Sequence, residues 1–231
     1  MGSEGKLIEQ PFNQPIDITD WKGDDEFEIY PQGARDKSLL ISPAQSEYEF
    51  LIPNHRYLFK RSFQHKSRNY PEQYWTEIIA YRIGCLMKVP VPPAFVALDS
   101  TNNVCGALIE WFLDYPDQPE ERRTPGGDIM VNLISDYDRK KGRHHIRWQL
   151  NDEHQCQHVE LLLQLVKKYP FLKDRITQKL ELLEMEQLRS MIYDCILYKK
   201  VAVPLSKIRA KFIYHLVESR CLTIRDQINI T

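Results

Sequence analysis

Three pieces of this chain carry residue types that together could build a phosphate grip. A glycine turn, Gly33-Ala34-Arg35-Asp36-Lys37-Ser38, is flanked by strand-like residues. Gly33 accepts a φ that other residues resist, and successive backbone N–H groups in such a turn cradle phosphate oxygens. Arg35 and Lys37 add positive charge. Lys60 follows on the alternating segment Tyr57-Leu58-Phe59-Lys60, sharing a face with Leu58, where it can reach into a cleft as a point charge. Glu77 opens the helical pattern after that and offers a carboxylate to hold the lysine. Each piece also has an ordinary structural reading. These are a plain hairpin turn with a basic tip, an edge-strand lysine that discourages aggregation, and a solvent-facing helix glutamate. A helix wheel places Glu77 opposite the centre of the stripe Trp75, Ile79, Ile83 and Leu86, which by periodicity favours the last of these.

The elements that must position these residues are legible in outline. Residues 1–25 are polar and read as a loose N-terminal segment. Residues 26–60 read as strands, with Phe27, Ile29, Leu39, Leu40, Ile41, Tyr48, Phe50 and Ile52 set between Gly, Pro, Ser and Asn breakers. Pro71 to Lys88 reads as a helix, ended by the prolines of VPVPP (Val89–Pro93). Ala94–Leu98 and Ala107–Phe112 read as two further strands around a turn at Ser100–Asn103. Residues 114–127, DYPDQPEERRTPGG, form the best candidate linker between a β-rich lobe (26–113) and a helical lobe (128–231). In the latter, His158–Tyr169, Asp174–Tyr198 (with one break) and Pro204–Glu218 read as helices. The last carries an apolar stripe of Ile208, Phe212 and Leu216. Strands plus one helix followed by helices alone make an α+β fold in two lobes.

Composition narrows the function. With 231 residues, 42% hydrophobic, 27% charged and a net charge of −1, the chain has no global attraction to nucleic acid or to a membrane surface. No apolar run reaches the roughly 18 residues needed to span a bilayer. The five cysteines are scattered, with no CxxC, so neither a zinc site nor a disulfide framework is signalled and a reducing, cytoplasmic compartment is expected. The basic stretch Arg139–Trp148 could meet nucleic-acid phosphates, with Trp148 as a stacking platform, but a solvated face is the simpler reading. His144 and His145 are adjacent and cannot share one helix side. His154 and His158 have helical metal-pair spacing but no nearby third ligand in the HExxH manner.

Taken together, the phosphate-gripping pieces resemble the HipA-like serine/threonine kinase family of bacterial toxin–antitoxin systems. The family's phosphate-loop pattern falls on Gly33-Ala34-Arg35-Asp36-Lys37-Ser38, and its ATP-contacting lysine on Lys60. Its helix pattern falls on Glu77, Ala80 and Ile83, running into Val89-Pro90. Its hinge strand falls on Ile109-Glu110-Trp111-Phe112, where backbone groups would hydrogen-bond adenine. Val203–Ile224 is similar to the family's closing helices. The resemblance implies a two-lobed protein-kinase-like fold with a β-rich N-terminal lobe and a shortened, all-helical C-terminal lobe. It also implies ATP as ligand.

The chain departs from the family at the catalytic loop, which reads like Asn-Thr-Asp-Arg-His with an Asn three residues on. Laid over Gly142–Trp148, that loop loses its base to Gly142 and its metal-binding Asn to Arg147. In the preferred alignment GRHHIRW lies after the active site, and the whole catalytic centre is absent. Asp136 and Asp138 are carboxylates nearby, but nothing in the sequence places them in line with a γ-phosphate. Phosphoryl transfer rests on positioning and on metal neutralising the developing charge. The expectation is therefore a nucleotide-binding but catalytically impaired protein, with magnesium in doubt. The alternatives are an active kinase with a non-standard centre at Asp136 or Asp138, and a non-enzymatic, partner-binding regulator of a full-length kinase. A protein partner or a homodimer is expected, the dimer because a shortened helical lobe would leave apolar faces uncovered; a membrane partner is not, and nucleic acid is disfavoured.

Overall fold

The computed structural model describes residues 6–24, 35–65, 68–113, 147–149 and 155–230. The chain is mixed α/β and divides into two compact units. One unit takes Met1–Glu120 and Leu182–Val217, the other Glu121–Glu181 and Glu218–Thr231. The expected linker 114–127 lies outside the described residues.

The first unit is built on a six-stranded sheet. Its strands are β1 (Ile16–Asp17), β2 (Lys22–Gly23), β3 (Lys37–Ile41), β4 (Arg56–Arg61), β7 (Ala94–Asp99) and β8 (Val104–Glu110). They lie in the order β1-β7-β8-β4-β3-β2, antiparallel except for the parallel pair β1–β7. A two-stranded ladder, β5 (Gln64–His65) with β6 (Arg68–Asn69), leads into a 3-10 turn at Pro71–Tyr74 and helix α1 (Trp75–Leu86).

Alternation in β4 sorts the core onto two sheet faces. Tyr57 and Phe59 join Ile16, Leu40, Phe95 and Leu108 on one side, while Leu58 joins Leu39 and Trp111 on the other. Gly106 in β8 is required by the pairing with β4. A Cβ there would sit 2.5 Å from Phe59 Cε2 and 2.6 Å from the Lys60 carbonyl oxygen.

Residues 6–24, read from sequence as loose, are held into this sheet. Ile16 is fully buried opposite Ala97. The buried side chain of Gln10 acts as an extra ladder rung on Val96. Its Nε2 donates to the Val96 carbonyl (2.8 Å) and its Oε1 accepts from the Val96 N–H (2.8 Å). Polar side chains that pair with backbone replace the apolar pattern that marks a strand. Tyr48–Ile52, read as strand, is instead a compact turn, with the Leu51 N–H donating to the Tyr48 carbonyl (3.0 Å). Tyr48 donates its hydroxyl to the Pro15 carbonyl (3.0 Å), and the Phe50 ring packs tilted against Phe95, centroids 4.8 Å apart. The apolar residues there plug the core from a loop.

Helix α1 packs against β7 and β8 in the first unit. It ends as a helix before prolines should. The Val89 N–H donates to the Gly84 carbonyl (2.8 Å) and the Lys88 N–H to the Cys85 carbonyl (3.0 Å). Lys88 takes the left-handed φ of 50° that this cap demands. Sequence periodicity gives α1 one apolar stripe, yet Trp75, Ile78, Tyr81, Arg82 and Cys85 are all buried.

The covering elements come from the C-terminal part of the chain, α4 (Met185–Asp194) and a 3-10 turn at Cys195–Leu197. The Tyr74 hydroxyl and the Trp75 indole both donate to the Val203 carbonyl, at 2.6 and 3.0 Å. The break expected within Asp174–Tyr198 falls at Leu182–Glu184. The last helix, α5 (Lys207–Ile230), starts with Ser206 accepting the Arg209 N–H on its hydroxyl (3.2 Å). Its expected stripe is not the buried one. Ile208 is 85% exposed and Phe212 55%, while Leu205, Ala210 and Ile213 are buried.

In the second unit, β9 (Arg147–Gln149) and β10 (Gln155–Gln157) pair as an antiparallel ladder within a region read as all-helical. Helices α2 (His158–Lys168) and α3 (Phe171–Glu181) follow, with the distal part of α5. Arg225 there donates to the Leu180 carbonyl (2.5 Å).

Candidate functional site

Of the residues singled out for phosphate chemistry, Lys37 and Lys60 share one face of the sheet, whereas Ser38, opposite Phe59, belongs to the other. Lys37 in β3 and Lys60 in β4 are directly opposite one another in the ladder, so both side chains leave the same face. The ladder is extended by the Arg61 N–H donating to the Asp36 carbonyl (3.0 Å). Like charges directly opposite each other are destabilising in a sheet, so this pair calls for a negative partner nearby.

One such partner is Glu77. Its Oε1 accepts Lys60 Nζ at 3.2 Å and also takes the guanidinium of Arg35, which thereby ties the residue pair ahead of β3 to α1. Side-chain exposures of 19% for Arg35, 21% for Glu77 and 25% for Lys60 make this a half-buried cluster. Burial pushes the Glu77 carboxyl up, but Lys60 and Arg35 outweigh it and hold it below its ordinary value. Glu77 is thus not the solvent-facing glutamate that the helix wheel suggests. The wheel locates one stripe, whereas α1 has elements on several sides.

Beside this cluster lies a cleft of about 310 Å³, whose walls are mostly apolar: Leu58, Ala80, Tyr81, Val91, Ala94 and Ile109. Lys60 and Glu77 stand on it, and Glu110, Trp111 and Phe112 also line it, where β8 runs out. Trp111 has both backbone groups committed to protein. Its N–H donates to the Arg56 carbonyl (3.0 Å), and its carbonyl accepts the Nε2–H of the buried His55 (2.8 Å). The Glu110 N–H donates to the Pro93 carbonyl (2.9 Å). Phe112 is half exposed.

The structure brings Arg35, Lys37, Lys60, Glu77 and residues 110–112 into one region of the first unit. Asp36 precedes β3 and Ser38 lies within it, with Ser38 opposite Phe59. Gly33 and Ala34 lie outside the described residues. So do Asp136 and Asp138, the basic stretch up to Ile146, and His154. Arg147 and Trp148 fall in β9, and His158 opens α2.

Sequence reasoning missed Tyr81 and Val91. The helix wheel puts Tyr81 on the side of Glu77 without marking a cleft there, and Val91 reads as part of a proline-rich helix stop. The signal for Val91 was the small residue Gly84 one turn before the stop, since a Cβ there would meet Val91 Cγ2 at 2.5 Å. Among the described residues no three His, Cys, Asp or Glu side chains gather as a metal site. No protein-family model, curated protein or solved structure matches the chain.

Proposed function

We propose that the chain is a HipA-like, kinase-related protein that binds a nucleotide and is impaired in phosphoryl transfer. The observation that carries this reading is the Lys60–Glu77 ion pair at 3.2 Å, lining a mostly apolar cleft together with Glu110–Phe112. A lysine held in place by a helix carboxylate is the arrangement that presents a fixed positive charge to nucleotide phosphates. The apolar cleft beside it has room for a flat ring. Arg35 and Lys37 put further positive charge on the same face.

Impairment follows from the sequence. The family's catalytic base and metal-binding Asn have no counterpart in either alignment. Magnesium would neutralise charge developing on the transferred phosphoryl, but no set of described residues fits it. Lys60, Arg35 and the turn bind and orient phosphate, and Glu77 keeps the lysine in position.

The test is ligand-dependent thermal stability. Anything that binds the native state raises the unfolding temperature by mass action. ATP is expected to raise it with magnesium or with EDTA, and the Lys60→Ala variant is expected to lose the shift. No shift in either condition refutes nucleotide binding. Transfer of γ-phosphate label to protein refutes impairment and favours the active alternative. One observation favours the partner-binding reading: Ile208, Phe212 and Leu216 form an exposed apolar stripe on α5. That reading expects a concentration-dependent dimer or a complex that Phe212→Glu disrupts; a monomer at all concentrations, with no complex formed with a full-length kinase of this type, refutes it.

A further inference from the structure

A second cavity, of about 570 Å³, lies in the first unit on another side of α1, bounded by the N-terminal segment, α1 and α4. That volume falls within the roughly 300–1,000 Å³ of small-molecule sites. Its wall contains a chemical anomaly. Arg82, from α1, is 8% exposed, yet among the described residues no carboxylate stands at ion-pair distance from it.

The guanidinium donates to the Met191 carbonyl (3.4 Å) and to the Tyr198 hydroxyl (3.0 Å), and sits 5.7 Å from the centre of the Tyr198 ring. All of these partners are neutral. Burying a charge is costly unless it is paired, and a guanidinium has five N–H donors of which these bonds engage two. A buried, preorganised and charge-unpaired arginine on the wall of a cavity is a receptor for a carboxylate or a phosphate.

The remaining lining decides between ligand classes. Glu9 at the rim and the half-buried Asp194 at the end of α4 also face the cavity. With one guanidinium and two carboxylates, the described lining would repel a simple anion. A ligand carrying both signs suits it. Leu7, Phe12 and Leu86 supply apolar wall. We propose that this cavity binds a zwitterion with an apolar body, an α-amino acid whose carboxylate sits on Arg82 and whose ammonium faces Glu9 and Asp194. The site is independent of the cleft at Lys60.

The test is titration calorimetry of the full chain near neutral pH with L-leucine, L-methionine and L-phenylalanine. L-leucine amide, which lacks the carboxylate, and N-acetyl-L-leucine, which lacks the ammonium, serve as controls. At least one amino acid is expected to bind at a single site, and each control about tenfold or more weakly, the loss of one charge-assisted contact. Arg82→Met is expected to abolish binding. Because that change also removes bonds to Met191 and Tyr198, Asp194→Asn provides a second reading. It is expected to weaken leucine about tenfold while leaving N-acetyl-L-leucine no weaker than before.

Lys60→Ala is expected to leave amino-acid affinity unchanged, whatever becomes of ATP. Absence of heat from all three amino acids at millimolar concentration overturns the proposal. N-acetyl-L-leucine binding as tightly as leucine, or leucine affinity indifferent to Asp194→Asn, also overturns it.

Discussion

Replacing Glu77 by Gln keeps the shape of the side chain and removes the charge that Lys60 and Arg35 share. At 3.2 Å and an effective dielectric of about 20, the attraction between Glu77 and Lys60 alone is about 5 kcal/mol before desolvation is subtracted. Exposed ion pairs retain about 0–1 kcal/mol of such a term, and breaking a buried pair costs about 3–5 kcal/mol. With exposures of 19–25%, this cluster falls between the two, so Glu77→Gln should destabilise by about 2 kcal/mol. For a chain of this size that is a fall in unfolding temperature of about 4–8 °C, measured by circular dichroism.

The pH dependence follows from the depressed Glu77 carboxyl. A carboxylate whose folded value lies below its unfolded value stabilises the protein fully above the unfolded value, and loses that contribution as pH falls through the folded one. The wild type and Glu77→Gln should therefore differ most at neutral pH and converge on acidification below the ordinary carboxylate range. A difference below about 1 °C at pH 7, or a gap that stays constant into strong acid, refutes the reasoning.

Three further outcomes are expected. Gly106→Ala should cost about 2 kcal/mol in denaturant unfolding, because the new Cβ meets the Lys60 carbonyl oxygen at 2.6 Å and backbone cannot yield as a side chain can; a neutral effect would mean the β4–β8 pairing is looser than described. Gln10→Ala should cost about 2–4 kcal/mol by leaving the N–H and carbonyl of Val96 without their partners. Hydrogen exchange at Val96 should accelerate in that variant, and unchanged protection there refutes the role given to Gln10. Cys85, Cys105, Cys195 and Cys221 are buried thiols pushed up by that burial, Cys195 to about 11. A thiol-reactive chromophore at pH 8 should thus label at most one cysteine per native chain quickly and the rest only in denaturant; two or more fast thiols contradict the burial.

The sequence by itself determined those features that a single element can encode. Alternation in Tyr57-Leu58-Phe59-Lys60 puts Lys60 with Leu58 on one sheet face, and the structure keeps them there. The prolines after Val89 end α1, and the apolar runs at Ala94 and Ala107 form the β7–β8 hairpin. These are local effects of pleat and of a missing N–H, so they are readable from neighbours in the chain.

What only the tertiary structure decided is which further sides of an element are covered. Periodicity reports where a helix is most apolar, not whether a second element packs on its other side. Arg82 is buried by Met191 and Tyr198, and Trp75 is bonded to Val203, more than a hundred residues along the chain. The same blindness exposes Ile208 and Phe212, hides Gln10 against Val96, and turns Glu77 from a solvent-facing glutamate into the shared partner of Arg35 and Lys60. In each case the deciding free energy comes from a contact between distant segments, which no window of the sequence contains.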